Sequence, residues 1–393
     1  MFETLKAAAP DGILALMGLD SDDPRAGKID LGVGVYRDET GATPIMRAVR
    51  EAERRLHEEQ QTKTYVGLAG DIAFNGLMTG LLLGEGADRS RLRAAQTPGG
   101  NGALRALADL IRFARPEATV WVPDPTWPNH LLIMRAAGLR VETFPYYDPS
   151  QGLTFDAAIT ALKGAAAGDV VLLHGCCHNP TGADLTIDQW EAIARLTTER
   201  GLIPFIDIAY QGFGHGLEED AAGLRLLAAR VPEMLVAASC SKNFSVYRDR
   251  AGVAILLGRN AAEADAAHSQ LLGVGRGIWS MPPDHAAACV RIVLEDAALR
   301  ADWQDELEAV RTRMLTLRHG FAEALRRASN SDRFDFVTGQ NGMFSRLGLT
   351  PDQVARLRVE HGVYMVGDSR INVAGLPGDR LDDLAARIVA VLS

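Results

Sequence analysis

Between Ala94 and Leu257 short apolar runs recur along the chain: Thr119–Val122, Arg140–Phe144, Val170–His174, Leu202–Ile206, Leu235–Ala238 and Val253–Leu257. Several are apolar at successive rather than alternate positions, the pattern of strands covered on both faces. Amphipathic stretches separate them. Thr186-Ile-Asp-Gln189 has the spacing of a capping box and predicts a helix that runs to about Arg200. Ala103–Ala114 reads as a further helix. This alternation predicts an α/β domain on a largely parallel sheet, where ligands bind at the carboxyl ends of the strands.

The pattern changes near the C-terminus. Residues 296–327 are charged and amphipathic and predict one extended helix. Short strands are expected around Phe334–Val337, Gly342–Arg346, Val363–Met365 and Arg370–Ala374, then a closing helix over Leu381–Leu392. These elements predict a smaller α+β domain. Periodicity does not assign the first 40 residues to either part.

Composition narrows the class. A chain of 393 residues exceeds what one core usually holds, so two domains are expected. Its 47% hydrophobic and 23% charged residues are ordinary for a globular protein. A net charge of -9 argues against a nucleic-acid or anionic-membrane partner. No run approaches the ~20 apolar residues of a membrane span, and Met1–Gly12 lacks a signal-peptide core. A cytoplasmic location is expected. The four cysteines Cys176, Cys177, Cys240 and Cys289 fit neither a disulfide framework nor a zinc pattern, and read as buried reduced thiols.

Lys242 carries the strongest chemical signal. Arginine supplies nearly all positive charge here: among 41 Lys+Arg, the lysines are Lys6, Lys28, Lys63, Lys163 and Lys242. Lys242 follows the apolar run Met234–Ala238 and precedes Arg250. An amine with a pKa near ~10.4 in water is a weak nucleophile at neutral pH; burial or a nearby cation lowers that value and frees it to attack a carbonyl. Other segments carry weaker signals. Thr97-Pro-Gly-Gly-Asn-Gly102 opens a helix and suits a phosphate, or simply joins two elements. Asp207 ends a strand, where it meets a ligand or caps a helix. His174–Gly182 contains turn dipeptides; His174 and His178 lie four apart, but no helix spans them and no carboxylate is close in sequence, so no metal is expected. Arg370 in an apolar strand needs an anionic ligand or an internal carboxylate. Arg276, in Gly-Arg-Gly before Pro282-Pro283, reads by itself as a surface arginine in a flexible loop.

Taken in order, these segments resemble the fold-type I pyridoxal-phosphate-dependent aminotransferases, and within them the aspartate and aromatic amino-acid subgroup. The resemblance runs from about Asp11 to the C-terminus. It rests on Leu31-Gly-Val-Gly-Val-Tyr36, Thr62-Lys-Thr-Tyr65, Trp127-Pro-Asn-His130, His174–Gly182, Asp207-Ile-Ala-Tyr210, Ser239-Cys-Ser-Lys-Asn243 and Arg370–Gly375. It implies an N-terminal arm and part of the small domain over 1–40, a large cofactor domain over 41–309 and a small domain over 310–393. It implies that Lys242 carries pyridoxal 5′-phosphate as a Schiff base and then moves the substrate proton. Asp207 would pair with the pyridine nitrogen, Tyr210 and Asn179 with the 3′-oxygen, and Trp127 would stack on the ring, with His130 behind Asp207. Gly99, Gly100, Asn101, Ser239 and Arg250 would seat the phosphate. Arg370, Asn179 and the Gly34 N–H would hold the substrate α-carboxylate. Tyr65 and Arg276 would cross to the second subunit of a homodimer, Arg276 meeting a distal carboxylate.

Three positions depart from the subgroup's usual residues. Asn101 stands where Thr or Ser is common, and Trp279 and Met281 replace Tyr and Asn beside Arg276. The last two make that side of the pocket more apolar and adaptable. Ala238–Phe244 and Gly342–Gly348 look most like the bacterial aromatic enzymes. The expected reaction is therefore ping-pong transamination of tyrosine and phenylalanine, with aspartate as a further donor and 2-oxoglutarate as acceptor; the rival is an aspartate aminotransferase.

Overall fold

The computed structural model describes residues 1–7 and 12–392. It divides into two compact units, one of residues 44–313 and one of residues 1–43 with 314–393. The division falls inside the long helix Ala297–Ser329.

The larger unit is built on a seven-stranded sheet. Its strands are β1 (Leu92–Pro98), β2 (Thr119–Asp124), β3 (Arg140–Pro145), β4 (Val170–His174), β5 (Ile203–Ile208), β6 (Met234–Ser239) and β7 (Ala251–Leu257), in the spatial order β1-β7-β6-β5-β4-β2-β3. All neighbours are parallel except β7, which runs antiparallel to both β1 and β6. Val170, Val171, Leu172, Phe205, Ile206 and Val253–Ile255 are buried, as expected of strands covered on both faces. The capping box at Thr186 and Gln189 forms, and its helix ends at Gly201 with φ +66°.

Strand β1 was not expected, and its polar residues explain why. Gln96 and Thr97 are buried inside it; Gln96 donates to the Pro283 carbonyl at 2.6 Å and accepts from the Asp71 N–H at 2.8 Å. These bonds offset a burial that hydropathy alone argues against. The helix after β1 is α1 (Gly99–Ala114), which opens at Gly99 rather than Ala103.

The smaller unit holds two short strand pairs: Ile29–Asp30 parallel to Val363–Tyr364, and Phe344–Arg346 antiparallel to Arg370–Asn372. Its core includes Leu31, Phe321, Leu325, Leu357, Ile371 and Ile388. The expected strand at Phe334–Val337 is instead a 3-10 turn over Asp335–Gly339. Phe334 and Val337, three apart, are both buried, which fits a period of three and not of two. The strand expected to reach Ala374 stops at Asn372, whose side chain accepts from the Ala374 N–H at 3.0 Å and turns the chain.

Gly252 in β7 sits between Thr97 and Ser239 in register. A Cβ there would lie 2.4 Å from the Gly99 carbonyl carbon and 2.7 Å from the Ala238 oxygen, both backbone atoms. Gly252→Ala should therefore destabilise the protein by about 3 kcal/mol, read as a shift of the urea midpoint. An unchanged midpoint would show that the Gly99 turn is free to move.

Candidate active site

Topology gathers the polar residues at one edge of the large sheet. Parallel strands β4, β5 and β6 end there, and in register His174 faces Asp207 while Asp207 faces Ala237. Because β7 is antiparallel, it begins at that edge while β1 ends there, so Ala251 faces Pro98 and Gly252 faces Ser239. The turns leaving these ends carry Gly99, Tyr210, Lys242 and Arg250.

Asp207 lies inside β5 and is buried. Its Oδ2 is 2.8 Å from His130 Nε2, and His130 Nδ1 is 2.8 Å from Thr126 Oγ1. An ionised carboxylate only accepts, so Nε2 carries the hydrogen. Burial pushes the Asp207 pKa up, but the His130 hydrogen bond, with the positive charge of Lys242, outweighs it and holds the carboxyl below its ordinary value. His174 packs against the His130 ring at 5.0 Å, and burial lowers its pKa to about 3, so it stays neutral. His130, His174 and Asp207 offer ligand atoms all within 4.8 Å of one another. No carboxylate is close to His174 in sequence, but the sheet brings one in space, because Asp207 arrives from the neighbouring strand. His130 and Asp207 already satisfy each other.

Lys242 follows β6 in a turn pinned from behind. Phe244 stacks on Trp303 at 4.4 Å, and Trp303 Nε1 donates to the Asn243 carbonyl at 2.7 Å. The Lys242 ammonium lies 5.1 Å from the centre of the buried Tyr210 ring. Desolvation lowers its pKa to about 8, opposed by Asp207 and assisted by Arg250. This is the amine that the apolar context of Lys242 led one to expect.

Beside it is a cradle. Gly99, with φ +69°, and Gly100 open α1 with their N–H groups. A Cβ on Gly99 would fall 2.4 Å from an Arg250 guanidinium nitrogen, and one on Gly100 would fall 2.9 Å from Ser239 Cβ. Arg250 donates to Ser241 Oγ at 3.2 Å and to the Tyr247 carbonyl at 2.7 Å. Positive helix end, hydroxyl and fixed cation converge on one spot, as a phosphate requires. Asn101 is exposed in the same helical turn. Ser241 and Tyr247 were not singled out from the sequence; each supports Arg250 through a contact that no spacing announces.

Asn179 is buried in a turn fixed by Asp184, whose carboxylate accepts from the Cys177 and His178 N–H groups at 2.9 Å each. Trp127 is half-buried and meets the His130 ring edge-on at 5.4 Å. Tyr65 is 86% exposed. Arg276 is not in a loop: it occupies the last turn of the helix Ala261–Ile278, exposed, and donates to Ser280 Oγ at 2.7 Å.

Arg370 and Gly34 belong to the smaller unit. Arg370 is buried, donates to the Gly32 carbonyl at 3.0 Å, and holds its guanidinium carbon 4.6 Å above the Phe344 ring. Asn372 donates to the Val33 and Val35 carbonyls at 2.7 Å each, clamping the segment that carries Gly34.

The profile of the family "Aminotransferase class I and II" matches residues 26–388. The chain belongs to that family. It is 54% identical to the aromatic-amino-acid aminotransferase of Paracoccus denitrificans and 47% identical to the aspartate aminotransferase of Escherichia coli K12, in each case across the whole of both chains. A solved aromatic-amino-acid aminotransferase of Burkholderia pseudomallei, covalently bound to pyridoxal phosphate, superposes with a TM-score of 0.97 at 42% identity over all of both chains. This enzyme is accordingly a fold-type I aminotransferase that uses pyridoxal phosphate. The cradle, the ionised Asp207 and the depressed Lys242 fit that cofactor. Among the described residues no helix is long and apolar enough to cross a membrane.

The low pKa of Lys242 sets a pH-dependent cost. Its folded value, about 8, lies below the ordinary 10.5, so between them the unfolded chain binds more protons and stability rises with pH. Below pH ~8 the full cost applies, at most about 3 kcal/mol. Cofactor-free Lys242→Met should be more stable than the parent at pH 7, with the gain fading towards pH ~10.5 in denaturant titrations. A gain independent of pH would assign it to packing instead.

Proposed function

We propose that this aminotransferase acts on aromatic amino acids, tyrosine and phenylalanine, takes aspartate as well, and passes the amino group to 2-oxoglutarate in a ping-pong cycle. The apolar lining beside Arg276 carries the preference. Trp279 and Met281, three and five residues after that arginine, are apolar where the subgroup usually carries Tyr and Asn, and Trp279 packs partly against the core, which leaves an aromatic substrate fewer polar groups to displace there. Identity to the Paracoccus denitrificans enzyme supports the same reading.

Pyridoxal phosphate, when bound, supplies the electron sink that makes the substrate Cα–H acidic. Lys242 would hold it and would move the proton at the substrate Cα, a role suited to a buried amine whose pKa is lowered to about 8. Asp207, kept ionised by His130, would pair with the pyridine nitrogen and keep it protonated. Tyr210 and Asn179 would hydrogen-bond the 3′-oxygen, and Trp127 would stack on the ring. Gly99, Gly100, Asn101, Ser239 and Arg250 would hold the phosphate. Arg370, with Asn179 and the Gly34 N–H, binds the α-carboxylate in a bidentate pair. Tyr65 and Arg276 serve the second subunit of a homodimer, Tyr65 at the phosphate and Arg276 at a distal carboxylate; their exposure within one chain supports this. Four buried free cysteines suit a reducing cytoplasm.

The second reading is an aspartate aminotransferase. Identity to the Escherichia coli enzyme favours it. The kcat/KM ratio of phenylalanine to aspartate, with 2-oxoglutarate as acceptor, separates the two; aspartate ahead by orders of magnitude overturns the aromatic reading. Arg276→Ala should cost aspartate and 2-oxoglutarate roughly 100-fold in half-reaction kcat/KM and phenylalanine under about 10-fold, since only dicarboxylates leave a charge unpaired. Equal losses for all three would remove Arg276 from that role.

A further inference from the structure

Arg318 is a fully buried arginine in the long helix, at 1% exposure. Its guanidinium donates to the carbonyls of Val337 at 3.1 Å, Gly342 at 2.8 Å and Phe344 at 3.0 Å, and to Ser345 Oγ. One planar cation thus ties the 3-10 turn at 335–339 to the start of the strand Phe344–Arg346.

That strand is the floor of the Arg370 site. Phe344 pairs with Asn372 and Arg346 with Arg370, so Phe344 and Arg370 project from the same face. The Phe344 ring carries the Arg370 guanidinium at 4.6 Å, and a Cβ on Gly34 would touch its Cζ at 3.4 Å. Phe344 is itself 2% exposed. Two of the three groups assigned to the α-carboxylate, Arg370 and the Gly34 N–H, therefore rest on one ring, and that residue's backbone carbonyl is held by Arg318. Ser345 points to the opposite face, where Arg318 takes hold of it.

We infer that Arg318 is a positioning residue for the α-carboxylate anchor: it fixes the Phe344 strand from behind and so sets the height and tilt of Arg370 and the approach of Gly34. The inference rests on the reading of Arg370 as that anchor. Arg318 touches neither substrate nor cofactor. A bidentate pair is sensitive to such displacement, because a misplacement of about 1 Å costs up to ~100-fold.

The test compares phenylalanine with phenethylamine, the same amine without a carboxylate, in the single-turnover amino-donor half-reaction of the cofactor-loaded enzyme. Arg318→Met should lower kcat/KM for phenylalanine about 10-fold, chiefly through KM, and change phenethylamine less than about 2-fold. Arg318→Lys should recover part of the loss. Ser345→Ala removes one of the four contacts without burying an orphaned cation, and should shift the ratio in the same direction, about 3-fold. If Arg318→Met does not fold, Ser345→Ala decides. Arg370→Lys is the reference and must discriminate between the two amines. If it does and neither the Arg318 variants nor Ser345→Ala do, the positioning role is wrong. Loss with both amines alike in Arg370→Lys overturns the Arg370 reading and this inference together.

Discussion

A carboxylate ionised inside a covered sheet loses most of its hydration, and burial alone would protonate it. Asp207 stays ionised because His130 Nε2 bonds its Oδ2 at 2.8 Å and because Lys242 adds positive charge nearby. Much of the site follows from that bond. It places a fixed negative charge at the end of β5, which opposes the fall in the Lys242 pKa and keeps the amine near 8 rather than lower. It also orders the histidines. Thr126 fixes His130 from its far side, and His174, packed on the same ring, is kept neutral by its burial. One charge, one donor and a neutral backing ring make a rigid anionic support at the end of β5.

The Gly99–Arg250 cradle depends on a different constraint, the direction of β7. Had β7 run parallel to β6, its start would lie at the opposite edge of the sheet from Ser239. Running antiparallel, it brings Arg250 to the edge where β1 delivers Gly99. Space is then the limit. Gly252 has no side chain because the Gly99 backbone occupies that volume, and Gly99 and Gly100 have none because Arg250 and Ser239 occupy theirs. Glycine is needed at these positions for close approach, and at Gly99 also for a φ of +69°.

The sequence made the α/β class legible because buried parallel strands leave continuous apolar runs, and β4, β5 and β6 do. It hid β1, whose buried Gln96 and Thr97 look exposed until their partners are known. It misread Phe334–Val337, where a short apolar run fits a strand or a 3-10 turn equally well. Lys242 was legible from its context, since a lysine after an apolar strand in an arginine-rich chain is costly to keep. Arg276 was misplaced because Gly-Arg-Gly signals a loop, whereas the helix carries through it to Ile278. Arg318 left no trace at all: an arginine on a long amphipathic helix reads as exposed, and only packing shows that it is not.

Backbone strain follows the same residues. The non-glycine residues with positive φ among those described are Cys177, Ser245, Arg250, Ser280, Asn330 and Ser369. All but Asn330 adjoin or belong to a candidate site segment: Cys177 the Asn179 turn, Ser245 and Arg250 the Lys242 loop, Ser280 Arg276, and Ser369 Arg370. Each such residue costs on the order of 1 kcal/mol or more and persists only where its surroundings over-determine it. Here they do. Asp184 holds the Cys177 N–H, Pro44 accepts from Ser245, Tyr247 and Ser241 hold Arg250, Arg276 donates to Ser280, and the Ser369 hydroxyl accepts from the Gly348 and Leu349 N–H groups. The hydrogen bonds that look merely structural are what keep the left-handed turns in place. Those turns aim the charged side chains, so stability given up along the backbone returns as fixed direction at the groups that must meet charge.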